Sequence, residues 1–244
     1  YKLLYQPNIS VGTGEVTGFE ALLRLKNYDI SPSVFIPIAE ETGLILEIGR
    51  WVTQEVIKQI SEWNKKGFKP KTVSLNFSSK QLKDTGYFNF LNRILIENNV
   101  NPNYLEIEFT ESILLEKTES FLEFLDKLKR MGVKMSLDDF GTGFSSLHYL
   151  TYMPVNKVKL DKSLCSKFLE SDNISVIENI ISIAHSLNLT ITAEGIETIE
   201  QYYNLKLVDC DYIQGYLFSK PLEVSEIEKI YDKNLLDRIN NPNS

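Results

Sequence analysis

The sequence predicts an α/β protein, an irregular (β/α)8 TIM-like barrel whose first strand is antiparallel. Three observations predict it. Short β-like runs alternate with helical patterns along 244 residues, which is typical of such barrels. The first two runs are joined only by SVGTGE, residues 10–15, a connection too short for a parallel crossover. A doubly wound open sheet is disfavoured because no GxGxxG or Walker motif follows a strand.

Eight runs have strand-like patterns, and helical patterns separate them from the second run onward. The predicted strands are Lys2–Ile9, Val16–Leu23, Thr72–Phe77, Tyr104–Phe109, Val133–Leu137, Lys157–Leu160, Leu189–Ala193 and Tyr212–Ile213. The predicted helices are Ile45–Trp63, Tyr87–Ile96, Ser120–Met131, Ser175–Leu187, Ile199–Leu207 and Ser225–Tyr231. Gly67, Gly132 and the segment NNVNP supply helix stop signals.

Composition limits the classes of function. A net charge of −7 gives no electrostatic footprint for duplex nucleic acid. Two histidines and two cysteines without CxxC spacing disfavour a zinc site and indicate reduced thiols. No apolar run is long enough to span a membrane. We expect one domain over residues 1–244, cut from a longer protein and located in the cytoplasm, with any membrane tether in upstream segments.

Polar side chains stand at the carboxyl ends of seven successive predicted strands, where the active site of such a barrel lies. They include two adjacent acids, Asp138 and Asp139, whose like charges repel unless a cation lies between them. The full set is Glu20, Asn76, Glu108, Glu111, Asp138, Asp139, Lys159, Glu194, Glu197 and Gln214. Unpaired buried charges are expensive, so this convergence indicates a site rather than a packed core.

Structural explanations exist for individual residues. Glu20 could pair with Arg24, and Glu197 and Gln214 could satisfy loop backbone groups. Glu106 and Glu108 share one strand face, so both could pair with lysines on a second strand, Lys157 and Lys159. Lys159 could also contact a phosphate, a carboxylate or a reactive water.

The oxygen donors Glu20, Asn76, Glu108 and Asp138 suit Mg²⁺ or Mn²⁺ better than Zn²⁺. Asp138 could bridge two ions while Asp139 binds only the second. Two cations about 4 Å apart can clamp a phosphodiester, activate water and stabilise the leaving oxygen.

Seven ordered motifs carry a family resemblance. They are EALLR, LNFS, EFTES, DDFGTGFSSL, VKLDKSL, AEGIET and DYIQGYLFSKPL. Together they resemble the EAL domain family, bacterial phosphodiesterases that act on cyclic di-GMP, from about Tyr5 to Pro221. The chain departs from common family residues at Leu25, Phe144 and Lys162, none of which is a ligand position. The resemblance also implies an irregular barrel with one antiparallel strand.

The resemblance implies a role for each matching residue. Glu20, Asn76, Glu108 and Asp138 match the first-metal ligands, and Asp138, Asp139 and Glu194 match the second-metal set. Lys159 matches the lysine at the attacking water, and Arg24 matches an arginine at a substrate phosphate. Glu197 and Gln214 match residues that order waters and substrate, and Gln6 matches a substrate-side glutamine. Glu111 matches a glutamate that holds the DDFGTG loop. Lys159, Glu194 and Glu20 are the expected catalytic residues.

The expected function is metal-dependent hydrolysis of cyclic di-GMP to linear pGpG, with two Mg²⁺ or Mn²⁺ ions per site, which lowers second-messenger levels in bacterial signalling. The proton acceptor stays open between Glu194 and the metal ions. The main alternative is a sensor module that binds cyclic di-GMP without cleaving it, and a third is an unrelated two-metal barrel enzyme. A homodimer is also expected, with Phe144, Leu147, Tyr149 and Leu150 at its surface or in the domain's own core.

Overall fold

The computed structural model describes residues 1–111, 113, 119–141, 150–169 and 173–237. In this part of the chain, eight strands close into a barrel in sequence order. The strands are β1 Lys2–Ser10, β2 Val16–Arg24, β3 Thr72–Phe77, β4 Leu105–Thr110, β5 Lys134–Phe140, β6 Lys157–Leu160, β7 Thr190–Ala193 and β8 Tyr212–Ile213. The helices are α1 Pro32–Thr42, α2 Ile45–Lys65, α3 Tyr87–Glu97, α4 Glu119–Met131, α5 Lys162–Leu169, α6 Ser175–Ser186, α7 Ile199–Leu207 and α8 Val224–Ile230.

The first strand is reversed, as the short hairpin predicts. β1 pairs antiparallel with both β2 and β8, and every other neighbouring pair of barrel strands is parallel. Gly14 makes the turn at a φ of 74°, a conformation that costs glycine little. The barrel prediction and the antiparallel first strand are therefore both confirmed.

β3 and β4 divide their side chains between an apolar outer face and a polar inner face. On β3, Phe77 packs against Tyr87 of α3 and Phe124 of α4, with ring centroids 5.1 and 5.5 Å apart. On β4, Phe109 packs against Phe121 of α4 at 6.1 Å. Because strand side chains alternate, Ser74, Asn76, Glu106 and Glu108 point into the barrel. The apolar core thus lies between barrel and helices, and chemistry-bearing groups fill the interior.

β5 carries an irregularity where the paired aspartates lie. The register with β6 shifts by one residue between Leu137 and Phe140, and Asp139 adopts a φ of 56°. This is a β-bulge, which re-aims side chains locally. The predicted strand ended at Leu137, whereas β5 continues through the bulge to Phe140.

Two helices, α1 and α5, escaped prediction. Ser31 caps α1 by accepting a hydrogen bond from Ser33 N at 3.3 Å, and Pro32 occupies the first turn. This is a standard start signal, but Pro37 inside the helix obscured the pattern. α5 spans only eight residues, too few for a clear period. No helix in the described ranges is both long and apolar enough to cross a bilayer.

Candidate active site

Lys159 is the centre of a charged cluster at the carboxyl ends of the strands. Its side chain is only 1% exposed, and four carboxylates surround its ammonium group, three on β2, β4 and β5 and one, Glu194, directly after β7. The Nζ atom lies 2.7 Å from Glu108 Oε2 and from Glu194 Oε1, and 3.3 Å from Glu20 Oε2 and Asp138 Oδ1. One positive charge therefore faces four groups that can each carry a negative charge.

The cluster perturbs its own titration. Burial opposes the charge on Lys159, but the surrounding carboxylates outweigh it and hold the pKa of Lys159 well above its usual range. Burial, together with the charge of Glu20, raises the pKa of Glu108 far above normal. Burial also raises the pKa of Glu194 to about 8. One lysine is too little positive charge for this site, and protons held by the carboxyl groups reduce the excess.

Glu20 differs from its neighbours because several groups stabilise its charge. Burial opposes ionisation, but Lys159 and two amide hydrogen bonds hold the pKa of Glu20 below its usual value. Asn76 Nδ2 donates to Glu20 Oε1 at 2.8 Å, and Gln214 Nε2 donates to Glu20 Oε2 at 2.7 Å. Gln214 Nε2 also lies 3.1 Å from Gln6 Oε1. Two predicted substrate-side glutamines are thus joined to the carboxylate cluster through Glu20.

The bulge on β5 positions the paired aspartates. Asp138 is buried and accepts a hydrogen bond from Asp139 N at 3.0 Å. Burial raises the pKa of Asp138. The pKa of Asp139 is also raised, by burial and then by the charges of Asp138 and Asp161. The two side chains therefore form one electrostatic unit next to Lys159.

Three predicted residues stand apart from the cluster. Arg24 lies at the end of β2, where its Nη1 donates to Leu23 O at 2.8 Å rather than pairing with Glu20. Glu197 is exposed and pairs with Lys162. Glu111 is buried just beyond β4. The loop that it is expected to hold includes residues 142–149, which lie outside the described part of the chain.

A cleft beside the cluster was missed by sequence reasoning. It has a volume of about 500 Å³ and lies between the ends of β2 and β3 and the helices α1 and α2. Arg24 and Asn76 line it together with Pro32, Ile36 and Pro37 of α1. The Ser31-Pro32 start signal of α1 could have revealed the cleft. A helix predicted there would supply apolar side chains to line a cleft together with Arg24.

The donor set fits divalent cations of the Mg²⁺ class. It consists of carboxylate and amide oxygens, without thiolate or imidazole. Glu108 Oε1 is buried and has no hydrogen-bond partner among the described residues, so one ligand atom is free. No group of three His, Cys, Asp or Glu side chains in that part of the chain is arranged as a metal site. The ammonium of Lys159 lies where the four carboxylates converge.

Comparison with known proteins agrees with this geometry. The EAL domain model matches residues 1–221. The chain is 41% identical to the oxygen sensor protein DosP of Escherichia coli K12. The alignment covers 93% of this chain and 29% of DosP. It is 35% identical to the bifunctional diguanylate cyclase/cyclic di-GMP phosphodiesterase MucR of Pseudomonas aeruginosa, over 92% of the chain and 33% of the relative. The chain thus spans about a third of the length of these curated relatives.

A solved structure described as the PaMucR phosphodiesterase in complex with c-di-GMP superimposes with a TM-score of 0.87 at 34% identity, and the match covers 93% of each chain. The family model covers nearly all of the sequence, residues 1–221. The chain belongs to the EAL domain family.

Proposed function

We propose that this domain is a divalent-cation-dependent phosphodiesterase that opens cyclic di-GMP to linear pGpG and so lowers the level of a bacterial second messenger. The observation that carries the proposal is the cluster of four carboxylates around Lys159. Asn76 belongs to the same cluster, because its amide donates a hydrogen bond to Glu20. A module that only binds the nucleotide needs no such set of buried acids. The named activity of MucR and the c-di-GMP complex of PaMucR support the choice of substrate.

Glu20, Asn76, Glu108 and Asp138 would hold one cation, and Asp138, Asp139 and Glu194 a second. Mg²⁺ or Mn²⁺ suits these oxygens. When bound, such ions supply Lewis-acid polarisation of the phosphodiester and lower the pKa of water. Because ligands must lose their protons, the raised pKa values of Glu108 and Glu194 make cation binding stronger as pH rises.

The protein's own groups then have separate tasks. Lys159 keeps a positive charge beside the phosphorus, where negative charge increases as water attacks and the 3′ oxygen leaves. Glu194, with a pKa of about 8 before cations bind, is our candidate to receive the proton of that water, and the metal ions are the alternative. Glu194 Oε1 is 2.7 Å from Lys159 Nζ, so the ammonium can donate a hydrogen bond that holds the Glu194 carboxyl group in position.

Substrate binding is assigned to the groups around the cleft. Arg24 would contact a phosphate, and the apolar wall formed by Pro32, Ile36 and Pro37 would accept a guanine base. Gln6 and Gln214, which are joined by a hydrogen bond, would orient the substrate next to Glu20. Glu197, paired with Lys162, would order solvent at the rim, and Glu111 would hold the loop after β5.

We further propose that the barrel acts as a single domain, works as a homodimer and is cytoplasmic. The two cysteines, Cys165 and Cys210, are buried free thiols, which agrees with a reducing compartment. In the expected dimer segment, Leu150 is buried within the domain, and Phe144, Leu147 and Tyr149 lie outside the described residues.

A product assay tests the proposed activity. The domain is incubated with cyclic di-GMP and either Mg²⁺, Mn²⁺, Ca²⁺ or chelator, and the products are separated. We expect pGpG with Mg²⁺ or Mn²⁺, little with Ca²⁺ because its looser coordination positions water poorly, and none with chelator. Substrate that binds but stays intact with every ion would establish the sensor alternative. Full activity in excess chelator would refute the role of the cations.

A further inference from the structure

We propose that the opposite mouth of the barrel holds a second site, which binds a small oxyanion such as inorganic phosphate or a carboxylate and is built around Lys134 and Asn8. The proposal concerns residues outside the candidate active site. It stands independently of the proposed phosphodiesterase activity.

The site is a cavity of about 270 Å³ at the amino ends of the parallel strands. Its polar and charged lining includes Asn8, Thr72, Glu106, Lys134, Asn156 and Lys157. Lys134 precedes Asp138 by four residues on β5, which separates the two sites by roughly 13 Å along the strand. The volume lies below the usual range for drug-sized ligands, about 300–1,000 Å³, so the cavity suits a small molecule.

The charges around the cavity leave one cation without a counter-ion. Lys157 Nζ lies 2.9 and 3.0 Å from the two carboxylate oxygens of Glu106, so those two charges balance. Lys134 Nζ donates to the neutral Thr72 hydroxyl at 2.9 Å, and no carboxylate of the described residues lies within ion-pairing distance of it. The local balance is therefore positive, although the whole chain carries −7.

Burial makes this uncompensated charge costly. Lys134 is partly withdrawn from water, and that desolvation lowers its pKa despite the nearby charge of Glu106. A bound anion would restore favourable interactions for the ammonium. Lysine is a common point-charge ligand for phosphate, so an oxyanion matches the group that the cavity offers.

Asn8 is the second, independent indication of a ligand. It is only 6% exposed, lines the cavity, and its Oδ1 is buried without a hydrogen-bond partner among the described residues. A buried amide group without a hydrogen-bond partner destabilises the folded protein. The same amide carries an NH₂ group with two donors, and this group can donate to an anion held by Lys134.

The test is an amide NMR titration with inorganic phosphate in the presence of chelator, with acetate as a second oxyanion and chloride at matched ionic strength. We expect saturable shifts of Gly18 and Thr72, which line the cavity, with either oxyanion. Lys134→Met and the nearly isosteric Asn8→Asp should each weaken binding at least 10-fold. Arg24→Ala, at the other mouth, should leave the affinity at Gly18 and Thr72 as in wild type.

Several results would overturn the proposal. One is a set of shifts at Gly18 and Thr72 that do not saturate, or that persist equally in Lys134→Met when its spectrum shows a folded domain. Equal shifts with chloride would show a general salt effect rather than an oxyanion site. Loss of binding in Arg24→Ala but not in Asn8→Asp would place the ligand at the other mouth.

Discussion

β4 and β6 contribute two glutamate–lysine pairs to the barrel interior, one layer apart. In the lower layer, Lys157 Nζ contacts both carboxylate oxygens of Glu106 at 2.9 and 3.0 Å. In the upper layer, Lys159 Nζ contacts Glu108 Oε2 at 2.7 Å but is also surrounded by three further carboxylates. The same residue types on the same strands thus give a balanced ion pair in one layer and an excess of negative charge in the other.

The difference shows how charge balance separates structure from chemistry. A buried ion pair of balanced charge needs no further ion, and removing one partner leaves an uncompensated charge. The upper layer has four potential negative charges against one positive, so it stays incomplete until protons or cations are added. Burial, followed by the charges of neighbouring carboxylates, raises the pKa values of Glu108, Asp138 and Glu194 in this layer. The four predictions below test this contrast, from the largest expected effect to the smallest.

Lys159→Met should lower kcat for cyclic di-GMP by about 10³-fold, or about 4 kcal/mol, while KM changes much less. The ammonium acts on charge that develops during attack, so its loss affects turnover more than substrate binding. The matched variant Lys157→Met, one layer below, should change kcat far less per folded molecule. Steady-state kinetics of both variants with Mn²⁺ measure the difference. Equal losses in kcat for the two variants would show that the upper and lower layers do not differ in their importance for catalysis.

Lys157→Met should reduce the free energy of unfolding by about 3 kcal/mol, because it leaves Glu106 buried without its partner. The double variant Lys157→Met/Glu106→Leu should recover most of that loss, since no unpaired charge remains. Urea unfolding measures both. If the double variant were no more stable than the single one, the lower layer would not be a self-contained ion pair.

Stability in chelator should fall as pH rises from about 4.5 to about 8, the range between the ordinary pKa of Glu194 and its raised value. Within that range the folded domain keeps a proton that the unfolded chain has lost, and linkage gives stability a negative slope. Glu194→Gln should reduce the slope by at most about 1.4 kcal/mol per pH unit. The control substitution Glu197→Gln, at an exposed position, should leave the slope of stability against pH as in wild type. The measurement is the free energy of unfolding by denaturant across this pH range. An unchanged slope in Glu194→Gln would contradict the raised pKa of Glu194.

Much of the fold was predictable because it depends on local patterns. The length of the first hairpin was enough to predict that β1 is antiparallel. The alternation of residues on β3 and β4 indicated which side chains face outward and which face inward. α1 was missed because Pro37 interrupts its period, although Ser31 and Pro32 mark its start. The cleft depends on that helix, so it was missed as well.

The site was only partly predictable. Side chains at the ends of parallel strands converge, which brought Glu20, Glu108, Asp138 and Glu194 together around Lys159. The pairing of Lys157 with Glu106 was among the alternatives and is confirmed. The left-handed turn at Asp139 was not predictable, because a bulge depends on register with a neighbouring strand. The roles of the individual residues stay predictions.

The smallest expected effect gives the most direct test of the central claim, that the upper layer lacks positive charge. Asp138→Asn removes one charge but keeps an oxygen that can accept the hydrogen bond from Asp139 N. In chelator it should raise the free energy of unfolding by about 1 kcal/mol. With Mg²⁺ or Mn²⁺ the order should reverse, because wild type gains stability from ions that bind only the folded state.

The measurement is thermal unfolding of wild type and Asp138→Asn in chelator and through a Mn²⁺ titration, with the exposed Asp126→Asn as control. The account predicts that the Asp138 variant is the more stable protein in chelator and the less stable one in Mn²⁺, and that the control follows wild type in both conditions. A variant less stable than wild type even in chelator would contradict it, because Asp138 would then stabilise the fold rather than add to an uncompensated charge.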